Sequence, residues 1–373
     1  MKHIIAIFLS CLLAVPAFAG QYSKYYKGTP IELKQVKEPS IPKRSVKLTD
    51  FGAKGDGITL CTDAFRQGIE ALSAKGGGHL IVPNGVWLTG PITMASNIDI
   101  HLEENALVIF SPDKSLYDDK INNGRYEPLI GGEKLHDISF TGSGIFDGNG
   151  KYWRPVKRGK MSDVEWKQYR KLGGTVTEKG DLWLPYDLKA VGNQTENAQK
   201  EEGIRNDLVR LIRCKNVLFQ GVTFQNAPRF HVHPIVCENV IIDGVLIRCE
   251  WNVQNGDAID LANVKRALVV NTVINAGDDG IHAISVVQID GGTFDINASE
   301  AIEGTYIQIN DGTISKHESD ETEEFYNSIT EHSLDHQRYK HILLLSEKLQ
   351  MPEEETAKLL DTDSKELTYL KFN

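Results

Sequence analysis

The chain has 373 residues, enough for one large domain with an appendage, and its 40% hydrophobic and 25% charged content is that of a globular protein. A formal net charge of −10, from 41 basic and 51 acidic side chains, argues against a nucleic-acid partner. The charge is uneven: residues 317–373 carry fourteen acidic and six basic side chains, a balance of −8, which leaves −2 for everything before them.

Residues 1–19 read as an export signal, with Lys2 and His3 as a positive start, Ile4 to Val15 as an apolar core and Ala17-Phe18-Ala19 as a small-residue cleavage site. That core is too short to span a membrane, so a periplasmic or secreted protein, not a membrane-spanning one, is expected. Residues 20–45 form an N-terminal extension. Thr62 to Ala74 has helical spacing, with Thr62 or Asp63 as its N-cap and Gly76-Gly77-Gly78 ending it. This helix would cap the open end of whatever sheet follows.

Short β-branched runs then recur. They are weak at His79–Val82, Ile98–Leu102 and Ile138–Thr141, and clear from Cys214 onward. Cys214-Lys215-Asn216-Val217-Leu218-Phe219-Gln220-Gly221 is echoed by Cys237-Glu238-Asn239-Val240-Ile241-Ile242-Asp243-Gly244. The turn residues Gly221, Gly244, Asn271, Gly291 and Gly312 are spaced 23, 27, 20 and 21 apart. A fixed period of this size, without helical spacing, predicts an all-β solenoid, a parallel β-helix over residues 46–316 in which neighbouring coils bury each other's apolar faces. The repeat lapses between Tyr152 and Asn206. That charged excursion, with Trp153, Trp166 and Trp183, reads equally well as a cleft wall facing sugar and as a packed surface loop.

Beyond the solenoid, residues 317–373 read as an acidic linker and a short helical tail, with helical spacing at Leu334–Leu349 and Pro352–Leu360. With the signal removed four cysteines remain, and Cys214 and Cys237 fall at matching points of consecutive coils. They form either a buried thiol ladder or a disulfide. No CxxC string or histidine cluster has metal-ligand spacing, so no metal site is expected.

The chemistry concentrates at Asn255-Gly256-Asp257 and, 21 residues after Asp257, at Gly277-Asp278-Asp279-Gly280. One coil apart, these motifs place Asp257 on the strand stacked against the one carrying Asp278 and Asp279, about 4.7–4.9 Å away. Three carboxyls on one patch cannot all ionise easily, so their pKa values split into an acid and a base. Adjacent strand residues point to opposite faces, so Asp278 and Asp279 need a bend or bulge to converge. His233 and His282 are the nearest imidazoles. Arg229, Arg248, Lys265 and Arg266 either supply positive charge to this patch or are solvated surface side chains.

These motifs, with Asp50-Phe51-Gly52-Ala53-Lys54-Gly55-Asp56-Gly57, Gly144-Ile145-Phe146-Asp147-Gly148-Asn149-Gly150, Phe224-Gln225-Asn226-Ala227-Pro228 and His233-Pro234, resemble glycoside hydrolase family 28, the polygalacturonase-like pectin hydrolases of bacterial type. The resemblance runs from about residue 46 to 281. It implies a right-handed, pectin-lyase-like parallel β-helix that hydrolyses galacturonan or related pectic chains without metal or cofactor. By the same resemblance Asp278 is the general acid, and Asp257 and Asp279 activate the attacking water with net inversion. Asn255, His233 and His282 are the candidate substrate-binding residues. A gap of one strand would by the two-carboxylate rule suggest retention, so inversion is implied by the family and not by the spacing.

No Gly-His-Gly string follows the aspartates, and the one Arg-x-Lys string after them, Arg338-Tyr339-Lys340, falls in the helical tail and not in the coils. Gly277–Ala283, Ile289–Thr293 and Glu300–Gly304 instead resemble a bacterial carbohydrate-binding β-helix. Two other functions therefore stay open: a catalytically inactive carbohydrate-binding solenoid, and a pectate lyase acting through Ca²⁺ and a basic residue.

Overall fold

The computed structural model describes residues 21–27, 34–117, 126–177, 179–186, 205–250 and 253–283, followed by the strand backbones at 286–296, 302–303, 306–310 and 313–316. The expected export signal and the expected helices after residue 317 lie outside the described residues. The chain divides into two compact units, residues 1–35 and 36–373. In the first, the described part is a short 3-10 turn, Ser23–Tyr26. The second is an all-β parallel β-helix.

Its coils stack in register, as the repeats predict. One wall runs from Ser45–Lys47 through Gly78–Val82, Ile98–Leu102, His136–Gly142, Lys215–Gln220 and Glu238–Asp243 to the long strand Lys265–Ala276. That strand turns the corner and pairs with both Glu238–Asp243 and Leu246–Arg248, so two walls share one continuous sheet. The third wall is a separate seven-stranded sheet. Its strands are β1 (Ile92–Thr93), β2 (Ile130–Glu133), β3 (Val209–Ile212), β4 (Val232–Ile235), β5 (Ile259–Leu261), β6 (Ile281–Ala283) and β7 (Ile302–Glu303), paired in chain order and all parallel.

The corners follow from the residues that tolerate left-handed backbone. Gly221, Gly244 and Asn271 have φ of +76°, +62° and +53°, which places the repeat-closing residues read from the sequence at one stacked corner. Asn216 and Asn239 occupy a second corner at +54° and +58°, and the Asn239 amide donates to Asn216 Oδ1 at 2.9 Å. Inside, like residues stack on like: Phe140 on Phe219 at 5.2 Å and Phe146 on Phe224 at 5.3 Å, all four fully buried. Each such ring contributes about 1.5–3 kcal/mol by leaving water. Cys214 and Cys237 stack likewise and are free thiols, the ladder alternative.

The predicted helix is present as α1 (Thr62–Ser73), which packs its Phe65, Ile69 and Leu72 onto the first coils. Its N-cap residue is Cys61, one position before the expected Thr62. The Thr62 hydroxyl instead accepts the Gly90 N–H at 2.6 Å and ties the helix to the coil. Gly77 ends it at φ +112°, where a Cβ would lie 2.2 Å from the Asn97 carbonyl oxygen.

The excursion folds into a small unit of its own. It holds α2 (Asp163–Lys171), capped by a reciprocal Ser162–Glu165 pair, and a three-stranded antiparallel sheet of Val156–Lys157, Leu182–Leu184 and Thr175–Val176. Val156, Met161, Trp166 and Trp183 form its apolar centre. Trp153 is buried in the solenoid core between Tyr117 and Tyr126. All three tryptophans are packed, as the surface-loop reading has it, and Trp183 also borders a cavity with Tyr152, Tyr169 and Val253.

Candidate active site

The three aspartates lie in the bends that lead into β5 and β6, not on the strands themselves. This corrects the simple strand placement and supplies the bend that adjacent Asp278 and Asp279 require. The Ala258 N–H donates to the Asp279 carbonyl at 3.0 Å and Ile259 pairs with Ile281, so the two bends are stacked coil on coil. The Asn255 N–H donates to Asp278 Oδ2 at 2.8 Å and joins the motifs directly. Asn255 has φ +50°, a turn conformation that asparagine accepts.

Asp257 is 7% exposed, and its Oδ1 is buried without a hydrogen-bond partner. Burial, then the charges of Asp278, Asp279 and Asp260, push its pKa up to about 8. At neutral pH the cluster thus keeps a proton, held on Asp257 by desolvation and like charge. Asp278 and Asp279 are half-buried.

The loop carrying Asn255 and Asp257 is clamped from below by Arg205, which is 1% exposed. Its guanidinium donates to the Gln254 carbonyl at 2.6 Å, the Pro228 carbonyl at 3.1 Å and Asn255 Oδ1 at 2.9 Å. The Asn255 side chain is therefore engaged in shaping the loop, and what it presents to the site is its backbone N–H.

Beside the aspartates runs a column of polar side chains in register on β3 to β6: Arg210, His233, Asp260 and His282. His233 Nδ1 lies 2.9 Å from Asp207 Oδ2 and its Nε2 3.9 Å from Asp260 Oδ2. His282 Nδ1 lies 2.9 Å from Asp260 Oδ1. Burial alone would raise Asp207, but the His233 hydrogen bond and the charges of His233, Arg210 and Arg229 outweigh it and bring it to about 2. His233 and His282 are thus on the aspartates' sheet, each held by a carboxylate.

Of the positive charges expected from sequence, Arg229 joins this face. It stacks on the Phe230 ring and lies 3.6 Å from Asp207. Arg248, Lys265 and Arg266 do not. They sit on the other walls, bound to Gln225 or Glu238. Sequence reasoning missed Arg205 and Lys160. Lys160, on the excursion, donates to the Val253 carbonyl at 3.1 Å, and Val253 packs against Gly256 and Gly277 of the two motifs. Among the described residues no group of three or more His, Cys, Asp or Glu is arranged to hold a metal ion.

The chain is similar to known proteins. Residues 160–301 match the sequence profile of Glycosyl hydrolases family 28. The chain is 26% identical over 292 residues to a probable polygalacturonase of Vitis vinifera, covering 74% of this chain and 51% of that protein. It is 27% identical over 260 residues to an exo-poly-alpha-D-galacturonosidase of Dickeya chrysanthemi, covering 65% and 42%. The chain therefore spans about half the length of these relatives. Among solved structures it resembles a hyperthermoactive exopolygalacturonase from Thermotoga maritima, with a TM-score of 0.58 and 28% identity over 75% of this chain and 70% of that one. No described helix is long and apolar enough to cross a membrane.

Proposed function

We propose that the chain is a glycoside hydrolase acting on galacturonan or related pectic chains through Asp257, Asp278 and Asp279, and that it works outside the cytoplasm. The observation that carries this reading is the convergence of three carboxyls that together keep a proton at neutral pH. Acid–base hydrolysis needs one protonated and one ionised carboxyl across a single glycosidic bond. The polygalacturonase names of the relatives supply the substrate class.

In this reading Asp278 protonates the leaving oxygen as the bond to the anomeric carbon breaks. A water held by Asp257 and Asp279 attacks that carbon and gives up its proton to a carboxylate, so the cluster ends with the proton count it began with. In the substrate-free site the proton rests on Asp257, so it passes across the shared patch to Asp278 before the bond breaks. Inversion follows from the likeness to the family. No Gly-His-Gly imidazole follows the aspartates and no Arg-x-Lys string lies in the coils after them, which in this reading leaves acid and base in place but removes two contacts to the sugar. After about residue 280 we read the remaining coils as a carbohydrate-binding β-helix type, on their sequence resemblance alone.

Incubation with polygalacturonate is expected to release reducing ends that carry no unsaturated sugar, at a rate indifferent to a metal chelator. Unsaturated products lost on chelation would instead make the chain a lyase. Binding without any product would make it a carbohydrate-binding solenoid.

A further inference from the structure

A galacturonate chain carries one carboxylate per sugar, and a site made of three aspartates repels it. Some positive group must offset that repulsion if the acidic sugar is to be preferred over its ester. The four cations expected from sequence do not supply it: three lie on other walls, and Arg229 is turned to Asp207. Among the described residues Arg205 is bound to the Asn255 loop, Arg210 to Asp207 and Arg154 to Glu250, all three nearly buried, which leaves Lys160 as a further candidate near the aspartates.

Lys160 belongs to the excursion, 93 residues before the Val253 carbonyl to which it donates. Val253 is in the loop that delivers Asp257, and its side chain touches the positions of Gly256 and Gly277. The ammonium has three donors and this contact uses one. Among the described residues Lys160 makes no ion pair within 4.0 Å. Its head is partly desolvated, which lowers its pKa, and the Asp278 charge acts in the opposite direction to keep it protonated. A partly buried ammonium with no ion pair, held on the loop that delivers Asp257, is a costly arrangement in the empty protein and a useful one for an anion arriving there.

We propose that Lys160 is the specificity-determining cation of this site, binding the carboxylate of the uronic acid seated at Asp257, Asp278 and Asp279 in place of an Arg-x-Lys pair, which the coils lack. The proposal rests on the pectic-hydrolase reading for its substrate. It adds that the cation comes from the excursion and not from a later coil. The excursion is then more than a packed loop: its apolar centre, built on Trp166 and Trp183, holds the lysine against the solenoid.

The test is the binding of a thio-linked galacturonate trimer, whose sulfur bridges resist hydrolysis, compared by calorimetry with its methyl ester. Wild type is expected to prefer the acid. Lys160→Met is expected to weaken acid binding about tenfold or more, equivalent to about 1.4 kcal/mol, and to leave ester binding unchanged. Lys160→Arg should keep most of the preference. Lys167→Met, which removes the same charge from the exposed face of α2, should match wild type.

Equal loss for acid and ester in Lys160→Met would make the lysine a loop tether and overturn the proposal. So would unchanged acid binding, or no acid preference in wild type, which is readable even if the methionine variant fails to fold. Lys160-dependent binding without release of reducing ends from polygalacturonate would sink the hydrolase reading and leave the assignment of Lys160 standing.

Discussion

Asp257→Asn is expected to make the protein more stable at pH 8 and to leave its stability nearly unchanged at pH 4. The carboxyl is 7% exposed, has a buried oxygen without a partner, and is surrounded by the Asp278, Asp279 and Asp260 charges. Its pKa rises from an ordinary 3.8 to about 8. Below pH 3.8 the folded and unfolded chains both keep the proton, and the group contributes no penalty. Between about 4 and 8 the folded chain keeps it while the unfolded chain has released it. The folded state then binds more protons and stability falls as pH rises. Above about 8 both forms are ionised and the penalty is complete.

A shift of about four units corresponds to about 5 kcal/mol at 1.36 kcal/mol per unit. Asparagine has the same shape and no charge, so it removes the penalty. Denaturant melts of wild type and variant across pH 4 to 9 read this difference directly, since other titrating groups are common to both. Curves that stay parallel across the whole range would show that Asp257 ionises normally.

Asp278→Asn is expected to lower kcat on polygalacturonate by about 10²–10⁴-fold while oligogalacturonide binding and folding persist. The asparagine side chain keeps an oxygen to accept the Asn255 N–H, so the link between the two motif loops survives. What is lost is an acidic proton for the leaving oxygen. Removing the acid acts on the transition state, so kcat and kcat/KM should fall together. A variant within tenfold of wild type would move the acid role to another carboxyl, with Asp257 first in line because it holds the proton in the free site.

The parts of this molecule that were legible in the sequence are those whose position is set by local repetition. Gly221, Gly244 and Asn271 announce stacked corners because each coil needs a left-handed residue at the same place. The two aspartate motifs announce neighbouring coils because one period separates them. The bend that lets Asp278 and Asp279 converge follows from strand alternation alone.

Arg205 and Lys160 were not legible. Arg205 reaches residues 49 and 50 positions away, and Lys160 one 93 positions away, across an excursion that has no period to fix its register. The tryptophans were ambiguous for a related reason. An aromatic ring in an irregular segment suits a sugar face and an apolar core equally, and only the packing of Trp166 and Trp183 with Val156 and Met161 decides between them.

In the proposed mechanism the three carboxyls share one proton and use it as a unit. The pH dependence of kcat/KM on polygalacturonate tests it most directly, because that ratio reports the ionisation of the free protein. Activity is expected to fall along an alkaline limb near pH 8, where Asp257 loses the shared proton. A rate that stays level past pH 9, or falls only as the carboxylates take up protons in acid, would contradict it.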